Sequence, residues 1–312
     1  MKNITKAYLA ALLYAFIIGF SFMFVKLALT VTSVLDTLAH RFTVAFLIAT
    51  IPVIFGFVKL NISSKTILAI LPIAIFYPAL FFAFQAFGLV YTSSSEAGII
   101  QAAIPIFTMI LASYFLKEYT NVWQKISVLI SVMGIIYIFV MNGMETHETS
   151  FIGIILILLS ALSSACYNVL ARKMTKKFKL IDLTYMMTMI GFLSFNLIAI
   201  IEHINKGTVN VYFKPFTNGT FLLSILYLGL LSSLLTAFLL NYSLSYIEAA
   251  KMSVFSNLST LIMIIAGILF LHEQIAYYHI VGAMLIILGI VGTNFWGKKG
   301  IYKKEKNTSI SK

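Results

Sequence analysis

The chain of 312 residues is 61% apolar and 10% charged, with a mean hydropathy of +0.99 and a formal net charge of +12. No soluble domain has enough polar surface to cover that composition, so a bilayer is the implied solvent. The basic excess does not indicate nucleic acid, because the Lys and Arg residues are spread through short segments between apolar runs instead of clustering on one soluble face.

Lys2 and Lys6 precede a first apolar run, about Ala7 to Leu29. It exceeds the ~7–15 residues of a signal-peptide core and has no small-x-small cleavage site after it, so it reads as a retained span. Further runs follow at about 34–58, 67–90, 94–116, 122–141, 151–172, 182–203, 220–244, 249–271 and 276–296. Each is near the ~20 residues that cross a ~30 Å hydrocarbon core. The expectation is an all-α integral membrane protein of ten spans: five in residues 1–143, five in 144–297, and a basic tail at 298–312. The single cysteine, Cys166, lies inside the sixth run and excludes an intrachain disulfide or a Cys-based metal site.

Basic residues set the orientation. With a cytoplasmic N-terminus, eighteen of the 22 fall in inside segments and only Lys206 and Lys214 in outside loops, while Lys26 and Arg41 lie within spans one and two. That bias predicts both termini in the cytoplasm.

The chain also repeats itself. At a constant offset of 155 residues, Ser93–Glu118 lines up with Glu248–Glu273, with identities at Ile110/Ile265, Phe115/Phe270, Leu116/Leu271 and Glu118/Glu273. The register holds upstream at Leu89/Leu244 and Tyr91/Tyr246, and downstream at Gly134/Gly289 and Ile135/Ile290. Halves with an odd number of spans enter the membrane in opposite senses, the inverted-topology duplication of secondary transporters.

With these features in view, the chain resembles the drug/metabolite transporter superfamily, specifically its EamA-type bacterial permeases. The resemblance rests on Gly19–Lys26 (GFSFMFVK), Arg41-Phe42, Pro105 and Leu116-Lys117-Glu118, with Leu271-His272-Glu273 in the second half. It departs where Thr260 stands in place of a second proline and where no arginine answers Arg41. It implies a non-enzymatic carrier without cofactors in a bacterial cytoplasmic membrane, exporting small organic metabolites such as amino acids, with drug efflux as the alternative.

Polar residues within the spans are the candidate substrate contacts. In span nine Ser253, Ser256, Asn257 and Thr260 share a helical face. Their mates in span four are Gly98, Gln101, Ala102 and Pro105, where proline leaves the Gln101 carbonyl without its helical donor. Span six repeats the pattern with Ser160, Ser163, Ser164, Tyr167 and Asn168. Tyr14 and Ser21 form a thinner face in span one, and Tyr77, Gln85 and Asn241 add polar atoms in spans three and eight. The competing reading is close packing around small and hydroxyl residues, and both can hold at once. Ala7, Ala11, Ala15 and Gly19, and separately Gly282 and Gly289 against Ser127 and Gly134, read as helix packing alone.

Charged residues near the membrane are weighed against their cost of burial. Lys26, Asp36, His40 and Arg41 read as snorkelling side chains with a local Lys26/Asp36 pair, against a basic site for a carboxylate or phosphate. Glu96 is the candidate for proton coupling, although Ser93-x-x-Glu96 also reads as a capping box. Glu118 and Glu273 read as caps of the helices that follow them. No phosphate-binding loop supports an ATP-driven pump, and the five histidines are too scattered for a metal site. The expected partners are a small-molecule substrate, the lipid bilayer and a coupling proton or exchanged solute, with no nucleic acid and the oligomeric state left open.

Overall fold

The computed structural model describes residues 2–92, 94–118, 120–143, 151–271 and 277–309, and among them there are helices and no strands. In chain order these are α1 (Lys2–Leu29), α2 (Val34–Ile54), α3 (Ser64–Ala74), α4 (Phe81–Tyr91), α5 (Ser94–Gln101), α6 (Ile104–Phe115) and α7 (Val122–Gly143). Next come α8 (Phe151–Met174), α9 (Leu180–Lys206), α10 (Gly219–Leu226), α11 (Thr236–Tyr246), α12 (Ala249–Ser253), α13 (Phe255–Leu271) and α14 (Tyr277–Ser309). Wide π-helical turns, Ile75–Leu80 and Tyr227–Leu235, join α3 to α4 and α10 to α11.

Among the described residues six helical stretches are long and apolar enough to cross a membrane: Asn3–Leu29, Val34–Ile54, Ser64–Tyr91, Phe151–Met174, Leu180–Lys206 and Gly219–Tyr246. Ile104–Phe115, Val122–Gly134 and Ile280–Thr293 are shorter apolar helices. Large apolar side chains such as Leu9, Phe16, Leu197 and Leu223 stand exposed on the outside of the bundle, as a lipid solvent requires.

Local chemistry explains where the helices begin and end. Ser33 caps α2 by accepting from the Asp36 amide at 3.1 Å, and Ser63 and Asn218 cap α3 and α10 in the same way. Gly207 closes α9 in the left-handed region at φ +67, its amide turning back to the last turn of the helix. The second run, expected to reach residue 58, stops at Ile54, where Gly56 takes φ +74.

Four runs expected as continuous helices are interrupted. The third is distorted at Tyr77, whose φ −146 and ψ 118 are extended, beside Pro78, which has no amide to donate. The eighth widens around Ser232 and Ser233. The fourth breaks at Ala102–Ala103 and the ninth at Val254. Elsewhere backbones come close: a Cβ on Gly134 would lie 2.7 Å from the Gly282 carbonyl, so the α7–α14 crossing admits only glycine there.

Candidate functional site

The broken fourth and ninth runs meet at the centre. Gln101, the last residue of α5, and Ile104, the first of α6, face Ser256, Ser259, Thr260 and Met263 of α13 across a small cavity. Tyr14, Ile18 and Phe22 of α1, Phe81 of α4, Gly98 of α5 and Ser164 of α8 complete its wall. Its volume is about 20 Å³, room for one water molecule and no organic solute. Contacts between the broken helices hold it shut. The Thr260 hydroxyl donates to the Gly98 carbonyl at 3.1 Å, and a Cβ on Gly98 would strike the Met263 methyl. The Gln101 amide reaches the Ser160 hydroxyl at 3.5 Å, and Ser160 donates to the Phe81 carbonyl at 3.0 Å.

The predicted site residues do not all gather at this cavity. Tyr14, Gln101, Ser164, Ser256 and Thr260 line this cavity, and Pro105 is buried at the start of α6 beside it. Tyr77, Tyr167 and Asn241 form a second layer: Tyr77 and Tyr167 have ring centroids 4.6 Å apart, and the Tyr167 hydroxyl donates to Asn241 Oδ1 at 2.7 Å. Asn168 is buried with its Oδ1 unpartnered, and Gln85 is buried within α4; neither lines the cavity.

Ser21 and Asn257 point elsewhere. Ser21 donates to the carbonyl of Ile18 in its own helix, and Asn257 turns to Ser131 of α7 at 2.7 Å. The Glu96 side chain, Ser93, His272 and Glu273 lie outside the described residues.

Among the described residues no group of His, Cys, Asp and Glu side chains could hold a metal ion. The site offers hydroxyls, an amide and aromatic faces, groups that can orient a bound solute.

The EamA-like transporter family model matches this chain twice, at residues 5–140 and 151–295. The chain belongs to that family. Among relatives, "Uncharacterized transporter YcxC" of Bacillus subtilis (strain 168) is 58% identical over 290 residues, covering 93% of each chain. An "Uncharacterized transporter" of Archaeoglobus fulgidus is 25% identical over 87% of this chain and 92% of its own. A solved crystal structure at 13% identity superposes with a TM-score of 0.75 over 95% of this chain and 98% of the other, a likeness of fold. The protein is thus a multi-pass membrane transporter by family.

The charged residues of this EamA-family chain differ from expectation. No Lys26/Asp36 pair forms. Asp36 accepts from the Thr32 hydroxyl at 2.8 Å and meets His203 Nε2 at 2.8 Å, while Lys26 donates to the carbonyls of Leu89 and Thr92 at 2.6 and 2.7 Å. Lys26 therefore serves the end of α4, where carbonyls lack helical partners. His40 and Arg41 do not snorkel. His40 is enclosed by Tyr212, Phe213, Phe216 and Phe221, with Nε2 2.9 Å from the Tyr212 carbonyl. Arg41 is 2% exposed, held by Ser232 and Ser233 under the ring of Phe82.

Glu118 caps no part of α7. Its Oε2 accepts from the Ala249 amide at the start of α12 at 3.1 Å, and Oε1 lies 3.3 Å from Arg172 of α8. Burial raises the Glu118 carboxyl above its usual range, opposed by Arg172 and the Ala249 amide.

Sequence reasoning missed Ser259 as a cavity residue and Ser232–Ser233 as partners of Arg41. The available signal was a hydroxyl pair at the middle of an apolar run.

Proposed function

We propose that this protein is a secondary transporter that moves small organic metabolites, such as amino acids, by alternating access, and that it works as an exporter. Its ten spans form two five-helix repeats of inverted topology, residues 1–143 and 144–297. The basic segment 298–312 and the N-terminus lie in the cytoplasm of a bacterial cell, with the bundle in its cytoplasmic membrane. The observation that carries this reading is the cavity built from broken helices of both repeats, with Gln101 and Gly98 on one side and Ser256 and Thr260 on the other. Broken helices expose polar groups at mid-membrane, where a solute must be held during transit. At about 20 Å³ the cavity is in a closed state, and rocking of the repeats opens it. The twice-matched family model supports the duplication.

Efflux of lipophilic cations is the alternative. An open groove of about 420 Å³ runs between α2, α9 and the Tyr227–Leu235 segment, but apart from Thr184 and Tyr185 its lining is apolar and it holds no acid for a cation. The metabolite reading therefore stands first.

The test is flux in proteoliposomes loaded with a mixed pool of labelled amino acids and, separately, lipophilic cations, with and without a pH gradient. Gradient-stimulated flux of an amino acid supports the reading; flux of the cations alone replaces it with drug efflux. Glu96→Gln in the same assay asks whether Glu96 couples the proton, since retained gradient dependence leaves it a capping role.

A further inference from the structure

Arg41 lies in the eighth position of α2 and is 2% exposed. Its Nε donates to Ser233 Oγ at 2.6 Å, and its Nη2 donates to Ser232 Oγ at 2.9 Å and to the Ser232 carbonyl at 3.1 Å. The guanidinium carbon sits 4.1 Å from the centre of the Phe82 ring. Every one of these partners is neutral. Among the described residues four ion pairs form, and Arg41 is in none of them. Nη1 donates to no described residue, although arginine presents five N–H groups in a planar fork.

A second group nearby is also incomplete. The Tyr77 hydroxyl is buried, 4% exposed for the residue, and makes no hydrogen bond of ordinary geometry; its polar neighbours are Thr236, whose own hydroxyl donates to the Ser232 carbonyl, and the charge of Arg41. Tyr77 stands on one π-helical segment and Ser232–Ser233 on the other. The cluster therefore lies between the two distorted runs. It is one aromatic layer from the cavity: the Tyr77 and Phe81 ring centroids are 5.2 Å apart, and Phe81 is part of the cavity wall.

A charge without a counter-ion at this depth costs the empty protein several kcal/mol, and an apolar residue of similar volume would pack there more favourably. An arriving anion reverses that balance, because a charge-assisted bond to guanidinium in a water-poor site is among the stronger non-covalent contacts.

We propose that Arg41, with Tyr77 and the Ser232–Ser233 pair, is the subsite that binds the carboxylate of the transported solute. This deepens the transporter reading and rests on it. One guanidinium, assisted by neutral donors, balances one negative charge, which suits a carboxylate; a phosphate dianion would keep charge unmatched. Seating the carboxylate draws Nη1 and the Tyr77 hydroxyl to one ligand and so joins elements of both distorted runs.

The test reads binding and flux separately. Thermal unfolding of the full chain, purified in uncharged detergent, is followed with lactate, pyruvate, glutamate, leucine or phenylalanine, and with the amide of each. At least one carboxylate is expected to raise the midpoint by about 3 °C at hundredfold excess over its Kd, and its amide is not. Arg41→Met is expected to abolish the shift, to unfold at a higher midpoint than wild type without ligand, and to lower proteoliposome flux of that carboxylate by about tenfold or more. Tyr77→Phe, which removes one hydroxyl with no hydrogen bond of ordinary geometry, is expected to fold normally and to weaken the shift. It decides the matter if Arg41→Met does not fold, since an unchanged shift in Tyr77→Phe then overturns the proposal.

No shift with any carboxylate, or a shift that survives Arg41→Met, also overturns it, as does a lower ligand-free midpoint, which would make Arg41 a structural anchor. A shift with inorganic phosphate or phosphatidylglycerol alone overturns the assigned class. Flux untouched by Arg41→Met removes the subsite and keeps the transporter. A carboxylate shift lost in Arg41→Met, with no flux of any solute, keeps the subsite and removes the transport reading.

Discussion

Arg41 and Arg172 are both withdrawn from solvent, and their surroundings differ in one respect. Arg172, near the end of α8, has the Glu118 carboxylate 3.3 Å away and the Leu244 carbonyl as a further acceptor. Arg41, inside α2, has serine oxygens and an aromatic face. At Arg172 the charge is matched by a residue distant in sequence, so it fastens α8 to the loop after α6 and to the start of α12. At Arg41 the charge is solvated and left unmatched. A matched charge holds the fold together, whereas an unmatched one holds an electrostatic vacancy that a ligand can fill.

The largest effect should come from dismantling the matched pair. Arg172→Ala leaves the half-buried Glu118 without its cation and is expected to cost about 2 kcal/mol, read as a lower unfolding midpoint in detergent. Pairing it with Glu118→Gln should recover much of that loss, and a double-mutant cycle measures the coupling. A cost below about 1 kcal/mol for Arg172→Ala would erase the contrast between the arginines.

Next in size, and opposite in sign, is Arg41→Met, expected to stabilise the empty protein by about 1 kcal/mol or more in the same measurement. Smaller again is Thr260→Val, which deletes one hydroxyl at the cavity wall with little change in volume. It should weaken solute binding by about fivefold, or ~1 kcal/mol, seen as a raised half-saturation concentration for flux, and lower the unfolding midpoint slightly because the Gly98 carbonyl loses its donor.

The smallest effect concerns pH. Because burial raises the Glu118 carboxyl in the fold, its linkage favours the folded state below the unfolded pKa and fades as pH rises through the raised value. Stability measured from the ordinary carboxylate range upward should therefore show a slight decline that Glu118→Gln removes.

The apolar runs were legible because composition and length decide them, and each long helix overlaps a predicted run, although α14 continues to Ser309 through most of the segment expected as a basic tail. The face of the ninth run was legible only in part. Continuous helical spacing groups Ser253, Ser256, Asn257 and Thr260, whereas the wall uses Ser256, Ser259, Thr260 and Met263. The turn at Val254 separates Ser253 from the rest, and within α13 the wall face runs through Ser256, Ser259, Thr260 and Met263, with Asn257 on the flank toward α7. Spacing arguments assume an unbroken helix, and this one is interrupted within its first two turns.

Arg41 was misread for a related reason. Snorkelling is the default for a long basic side chain, and only the π-helical turn around Ser232 and Ser233 brings competing oxygens to it. That turn has no proline to match Pro78 of its counterpart, and its one glycine, Gly229, is packed against Val44 and the Arg41 carbonyl. Glu118 shows the same limit: its partners, Arg172 and Ala249, are distant in the chain, and no local rule connects them.

The water-sized cavity also has an electrical meaning. Ions and protons cross membranes along connected files of water, and every elementary charge that falls through 100 mV dissipates about 2.3 kcal/mol of the cell's stored potential. A space of about 20 Å³ seats one water and no file. In this conformation, therefore, the cavity gives a charge no path of connected water.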